Sequence, residues 1–361
     1  MATFDLTMAR KGRGALSNAV GRFEPEQRIA FDDGWGTADE EPAPLETRLI
    51  VDSTRTIIAR NTSPDVGFDR SISPYRGCEH GCVYCFARPT HAYLGLSPGL
   101  DFESRIFVKP EAAKLLKAEL GKPGYECRPI AMGTNTDPYQ PTERNLGITR
   151  GILEVLQAAD HPVCIVTKSA LVQRDIDILA AMAAKRLATV SLSVTTLDRG
   201  LARRLEPRAA TPERRLETIR ALAAAGIPTG VLAAPMIPAL NDAELEAILA
   251  ACKEAGASTA GYVLLRLPHE LKGLFREWLE THVPGRAKHV MSLVTEMHGG
   301  KEYDAQWGRR QTGTGRHAEV LRIRFELACK RLGFRHRGNI ARLDTTLFRR
   351  PPRDGEQLSL L

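Results

Sequence analysis

No apolar run in this 361-residue chain reaches the length of a membrane-spanning helix. The first residues, Met1-Ala2-Thr3-Phe4-Asp5, lack the apolar core of a secretion signal. The two absences exclude a helical membrane protein and make a cytoplasmic location the expectation. No internal repeat is visible, which excludes a solenoid or propeller. Cysteine is sparse, with seven residues, so a disulfide scaffold is excluded. In a cytosolic chain such thiols read as metal or catalytic groups. Cys164, Cys252 and Cys329 sit in apolar periodic segments and are expected as small buried residues. Cys127 lies in a polar stretch and is expected as an inert loop thiol, with hydrogen-atom donation as the alternative reading.

What is present suits one large globular domain with extensions: 43% hydrophobic and 26% charged residues. The formal net charge is +7. Residues 301–361 hold 14 Lys/Arg against 7 Asp/Glu, so the whole excess sits there. A phosphate-facing footprint and a solvated helix face both account for it.

Residues 1–45 mix Gly, Pro, Arg and acids without periodicity and are expected as a flexible arm. From about residue 70 strand and helix patterns alternate. Strands are predicted at Ser71–Tyr75, Pro129–Gly133, Val163–Thr167, Thr189–Val194, Thr229–Ala233 and Ala260–Leu265. Helices are predicted near 110–120, 142–159, 174–186, 212–225, 242–255 and 270–281. Thr211 reads as an N-cap with Pro212 at the first turn, and Gly226 as the stop. Alternation of this kind implies a parallel sheet. Six such units need about 190 residues, by scaling from a full eight-unit barrel. The expected fold is therefore α/β, a partial (βα)6 TIM-like barrel over 46–285. A basic α-helical extension follows over 286–348, with a polar tail over 349–361. In the extension, Arg316–Leu332 reads as a helix with Val320, Ile323, Leu327 and Cys329 on its apolar side.

Cys78, Cys82 and Cys85 carry the most chemistry. They are spaced C-x3-C-x2-C in Gly77-Cys78-Glu79-His80-Gly81-Cys82-Val83-Tyr84-Cys85-Phe86. Thiolates select iron–sulfur or zinc over hard cations. Four cysteines close a [4Fe–4S] site, so three leave one iron open to a ligand. A structural zinc site, with His80 or His91 as fourth ligand, is the alternative. Such sites usually pair cysteines in two separated halves, and no second half is visible.

The spacing, with aromatic Tyr84 just before the third cysteine, resembles the radical S-adenosylmethionine (SAM) enzymes. The resemblance implies a [4Fe–4S] cluster whose open iron chelates SAM, and reductive cleavage of SAM to a 5′-deoxyadenosyl radical. It also implies a six-unit partial barrel and an electron donor such as a flavodoxin or ferredoxin. Over roughly residues 50–290 the chain is similar to the spore-photoproduct-lyase-like ("DNA repair photolyase") branch. The matching segments are Thr167-Lys168, Ser193, Leu205-Glu206-Pro207, Arg215-Leu216 and Ala233-Ala234-Pro235. By this resemblance Lys168 and Ser193 contact SAM, and Asn135, Thr136 and Asp137 meet its amino end. Tyr84, Glu206 and Arg215 join the cofactor's surroundings. The lyases carry a hydrogen-donating cysteine after the second strand; here Thr134 stands in that place. Tyr139, close by, is the candidate radical relay.

Gln357-Leu358-Ser359-Leu360-Leu361 resembles the peptide by which bacterial repair proteins dock on the sliding clamp, with Leu361 replacing the usual Phe. Together these features lead to a radical SAM enzyme acting on nucleic acid, through DNA repair or base modification. The alternatives are radical SAM chemistry on RNA, protein or a small metabolite, and a non-catalytic zinc or iron–sulfur nucleic-acid-binding module.

Overall fold

The computed structural model describes residues 12–24, 45–335 and 343–352. Among them the strands are β1 (Arg48–Val51), β2 (Ile58–Arg60), β3 (Arg70–Ile72), β4 (Tyr75–Arg76) and β5 (Arg105–Val108). They continue as β6 (Ile130–Met132), β7 (Val163–Thr167), β8 (Ala188–Ser193), β9 (Thr229–Met236) and β10 (Thr259–Leu264). The helices are α1 (Leu100–Ser104), α2 (Ala112–Leu120), α3 (Glu143–Leu146), α4 (Ile148–Ala158), α5 (Ile176–Ala184) and α6 (Arg199–Leu205). After them come α7 (Pro212–Ala224), α8 (Leu245–Glu254), α9 (Leu271–His282), α10 (Pro284–Met297) and α11 (Gly315–Leu332).

The main sheet runs β10-β9-β8-β7-β6-β3-β2. Its strands from β3 to β10 are parallel, and β2 closes one edge antiparallel to β3. The register carries Ile72 beside Met132 and Met132 beside Ile165, so the C-terminal ends of the strands lie level. All six predicted strands form, in sequence order, as expected of a partial (βα)6 barrel. Val163, Ile165, Val190, Leu192 and Val231 are buried in the core that α4, α5, α7 and α8 cover. At α7, Thr211 Oγ1 accepts from the Arg214 amide, and Pro212 occupies the first turn. Proline fits there because its missing N–H is one the helix leaves unpaired anyway.

A second, three-stranded sheet, β1-β5-β4, joins two strands of the long crossover between β3 and β6 to β1, which precedes β3 in the chain. No strand pattern marks it in the sequence: β1 is exposed along its whole length and β4 has two residues. No helix among the described residues is long and apolar enough to cross a membrane.

Two expectations need correction. Residues 12–24 fall within the expected flexible arm, yet Arg13 is 8% exposed and Leu16 is 3% exposed. Arg13 donates to the Glu103 carbonyl at 2.7 Å and to Thr47 Oγ1 at 3.2 Å, so polar bonds hold a segment that no apolar period marks. In α11 three of the four expected apolar residues face outward: Val320, Ile323 and Leu327 are exposed, Cys329 is half-buried against the core, and Ala318, Leu321 and Ala328 are buried. Both sets follow helical spacing. The alanine-bearing face wins because small residues let α11 sit close to α8 and bring Phe325 against Tyr262, 4.8 Å between ring centroids. Helix α10 packs Val290, Met291 and Val294 into one cluster with Trp278 and Tyr84, so the packed body runs past residue 285.

Residues 343–352 strap the N-terminal ends of the strands. The Asp344 amide donates to the Arg186 carbonyl and the Arg349 amide to the Ala159 carbonyl. Phe348 packs edge-on against His161. The neutral His161 ring is fully paired: Nδ1 donates to the Pro162 carbonyl at 3.0 Å and Nε2 accepts from Tyr125 Oη at 2.8 Å. Burial pushes its pKa down to about 4. The unfolded chain, with an ordinary value near 6.5, therefore binds the proton first, and stability is lost as pH falls from about 6.5 toward 4. Urea titrations should show this loss, up to about 3 kcal/mol for this one group. The difference curve against His161→Gln isolates it; parallel curves for the two proteins contradict it.

Candidate active site

The three cysteines follow β3, at the C-terminal face where barrel enzymes place their ligands. Their loop is held from both sides. The Cys78 amide donates to the Phe102 carbonyl at 2.9 Å, and the Val83 amide to the Leu205 carbonyl at 3.0 Å. Arg88, fully buried, lies beneath. It donates to the carbonyls of Cys82 (2.8 Å), Gly81 (3.1 Å), Gly99 (2.9 Å) and Pro98 (3.1 Å), and pairs with the buried Glu103 carboxylate. Glu103 also accepts from the amides of Gly14 at 2.9 Å and Ala15 at 2.8 Å. Gly14 approaches the loop so closely that a Cβ there would lie 1.8 Å from the Gly81 carbonyl oxygen.

The other strand ends complete a cavity of about 280 Å³. Cys78, Cys82 and Cys85 line one side. Opposite them lie the 133–137 loop, Lys168 after β7, Ser193 ending β8, and Arg266 just past β10. Gly133, at φ +87°, allows the loop to turn there; a Cβ would strike the Val166 carbonyl at 1.8 Å.

Within the wall, Lys168 Nζ donates to Ser193 Oγ at 2.5 Å and lies 3.3 Å from Glu206 Oε1. Ser193 Oγ donates in turn to the Ala234 carbonyl at 3.0 Å. Burial lowers the Lys168 pKa to about 8, although the neighbouring Cys82 opposes the shift. Glu206 also bonds Tyr84 Oη and the Arg215 guanidinium, and Thr195 Oγ1 at 2.6 Å. Burial holds its pKa above the ordinary carboxylate range in spite of Arg215. Asp137 accepts from Thr167 Oγ1 at 2.7 Å and the Lys168 amide at 2.8 Å, and faces His80 Nδ1 at 3.3 Å. Burial alone would raise its pKa, but His80 and these bonds hold it below the usual range.

The donor set is chemically selective. Burial pushes all three thiols up, Cys78 and Cys82 furthest. Thiols so buried become thiolates only against a metal's positive charge, and the soft donors suit iron–sulfur chemistry. Among the described residues no three His, Cys, Asp or Glu side chains converge on one metal ion. His91, the other candidate zinc ligand, bonds the Arg105 carbonyl at 3.0 Å instead. Three thiols lining one cavity are a soft donor set of the kind an iron–sulfur cluster takes.

A family model for the radical SAM superfamily matches residues 72–252. The chain belongs to the radical SAM superfamily. Members of that superfamily are enzymes that use a [4Fe–4S] cluster and SAM. Among curated proteins, uncharacterized proteins of Mycobacterium tuberculosis and Mycobacterium bovis are 39% identical over 214 residues. The match covers 59% of this chain and 63% of theirs. A protein of Methanocaldococcus jannaschii is 29% identical over 175 residues, 48% of this chain and 62% of its own. The chain thus spans under two thirds of the length of these relatives. Among solved structures, spore photoproduct lyase shares the fold. The form with bound AdoMet and dinucleoside spore photoproduct gives a TM-score of 0.53 at 16% identity, covering 79% of each chain.

Of the residues singled out in the sequence, the radical SAM fold brings Cys78, Cys82, Cys85, Tyr84, Asn135, Thr136, Asp137, Lys168 and Ser193 to one cavity. Glu206 and Arg215, each 2% exposed, sit behind its wall rather than on it. Tyr139 does not line the cavity; its ring is fully buried in the core. Arg88 and Glu103 were not anticipated. They are 15 residues apart on short elements, and no spacing rule links them.

Removing one partner from a buried ion pair usually costs about 3–5 kcal/mol. Glu103→Gln should therefore lower the denaturation midpoint markedly and reduce iron retained on reconstitution. A surface change such as Glu154→Gln should do neither. Unchanged iron content in Glu103→Gln contradicts the clamp.

Proposed function

We propose that this radical SAM enzyme acts on nucleic acid, as a lyase-type repair or base-modifying activity. The observation that carries the reading is the fold shared over 79% of both chains with spore photoproduct lyase, a protein solved with a dinucleoside spore photoproduct. When bound, the [4Fe–4S] cluster and SAM supply a 5′-deoxyadenosyl radical at this cavity.

In this reading Cys78, Cys82 and Cys85 hold the cluster. Lys168, positioned by Ser193, takes the SAM carboxylate; an anion there restores the charge that burial disfavours. Asn135 and Thr136 face the amino end. Asp137 has its oxygens engaged by Thr167, the Lys168 amide and His80, so it fixes the loop as well as the charge. Glu206 and Arg215 position Tyr84 and Lys168 from behind.

The substrate's hydrogen must return by another route than in the lyases. Thr134 lines the cavity, and a hydroxyl holds its hydrogen too strongly for donation to a carbon radical. Cys127, Cys164, Cys252 and Cys329 do not line the cavity. Part of the charge of the basic C-terminal region is taken up in ion pairs. Arg310 pairs with Asp65, Arg322 with Glu319 and Glu326, Arg324 with Glu246, and Arg349 with Asp160. The clamp-like Gln357–Leu361 lies outside the described residues. As a docking peptide for the sliding clamp it stands on its sequence, as does an electron donor of the flavodoxin or ferredoxin type.

Reconstituted, reduced protein should release 5′-deoxyadenosine faster with UV-irradiated DNA oligonucleotides than with intact ones, and mass spectra should show altered bases. Stimulation by RNA, peptide or metabolite fractions and not by DNA moves the enzyme to another substrate class. Lys168→Ala removes a charged hydrogen bond worth about 1.5–3 kcal/mol, so SAM should bind about 10- to 100-fold more weakly in anaerobic calorimetry. Unchanged affinity rejects the carboxylate assignment.

A further inference from the structure

We infer that the rim of this cavity is a track for a single nucleic-acid strand. Arg266 takes an internucleotide phosphate, while Phe86 and the Phe23–Tyr93 pair stack bases. The inference rests on the nucleic-acid reading above and names how the substrate is held.

Arg266 lines the cavity, and its guanidinium carbon lies 4.1 Å from the Phe86 ring centroid. Other cationic groups around the site are engaged: Lys168 with Ser193 and Glu206, Arg88 with Glu103, Arg310 with Asp65. Arg266 has no ion pair or hydrogen bond among the described residues. Burial lowers its pKa, but guanidinium stays charged at any working pH. A guanidinium stacked by its face keeps its edge donors free, and that fork matches a phosphate's oxygens. Phe86, next in sequence to Cys85, is 42% exposed. An anion seated on Arg266 thus sits beside an open aromatic face.

A second platform of the same kind is joined through Glu270 to the segment that carries Arg266. Phe23 and Tyr93 pack with centroids 5.2 Å apart, and Arg22 lies 5.3 Å and 5.7 Å from the two rings. These rings are among the most open apolar side chains, 55% and 70% exposed. Arg22 is tied to Glu270: its amide and Nε both donate to Oε1, at 3.1 and 2.7 Å. Glu270 is four residues beyond Arg266, at most about 14 Å of extended chain. Alternating arginine and exposed aromatic groups serve strands, because every base has a face to stack and every linkage a charge. A mononucleotide needs one platform; a strand uses both.

The test uses the anaerobically reconstituted full chain and fluorescein-labelled dT12, titrated by anisotropy at several salt concentrations. Arg266→Gln should bind about tenfold more weakly, with the log–log salt slope flatter by about 0.7, the loss of one phosphate on a single strand. Phe23→Ala combined with Tyr93→Ala should weaken dT12 by about tenfold or more while leaving thymidine 5′-monophosphate affinity unchanged. Should Arg266→Gln fail to retain iron, Arg266→Lys decides, since it keeps the charge and loses the fork. Weaker dT12 binding at an unchanged slope supports the track; unchanged binding overturns it. Wild-type affinity and slope in Arg266→Gln would overturn the track and leave the nucleic-acid reading standing. An equal loss of SAM affinity in Arg266→Gln would give the arginine to the cofactor and also overturn it. No dT12 binding by the wild-type protein would bring down the nucleic-acid reading and the track together.

Discussion

A guanidinium with no access to water supports the cysteine loop. Arg88 spends its donors on loop and neighbouring carbonyls and on Glu103. Glu103 reaches on to the amides of residues 14 and 15. Val83 and Tyr84 anchor the cysteine loop in an apolar cluster, but apolar packing does not satisfy its polar backbone. Its backbone carbonyls need partners once buried, because an unpaired buried polar group is costly. Arg88 answers that need in one side chain, and Glu103 answers the need of Arg88. The N-terminal segment is drawn into the fold because the carboxylate still has acceptor capacity left.

The opposite side of the loop repeats the principle. Tyr84 bonds Glu206, which also serves Thr195 and Arg215 and lies near Lys168. The cysteines are therefore gripped between two buried carboxylates, each neutralised by an arginine. Buried ion pairs add little net stability compared with apolar packing, yet losing one partner is expensive. Here they fix where thiols and a lysine sit relative to one another. Precise placement is what radical chemistry asks of its protein, since the cofactors carry the reaction.

The barrel was legible in the sequence because each strand–helix unit repeats the same physical signal, a period of two followed by a period of 3.6. The cysteine spacing and the polar residues at the strand ends were legible for a related reason: parallel topology sends every strand's C-terminus to one face. Long-range polar pairing was not legible. Glu103 and Arg88 leave no period, and Arg13 looks like one more charge in a polar arm. Helix α11 was misread because it carries two helical stripes. Only its neighbours decide that Ala318, Leu321 and Ala328 go inward while Val320, Ile323 and Leu327 stay out. Nearness in sequence to Asp137 likewise does not bring the Tyr139 ring to the cavity lining.

The central claim is that the three thiols and the Lys168–Ser193 pair form one cofactor site, with the thiols holding a cluster that leaves a coordination position for SAM. Electron paramagnetic resonance of the reduced, anaerobically reconstituted protein tests this most directly, recorded with and without SAM. The account predicts a [4Fe–4S] signal whose g-values shift when SAM is added, and loss of that signal in Cys82→Ala. A protein that reconstitutes with zinc alone, or an iron–sulfur signal indifferent to saturating SAM, would contradict it.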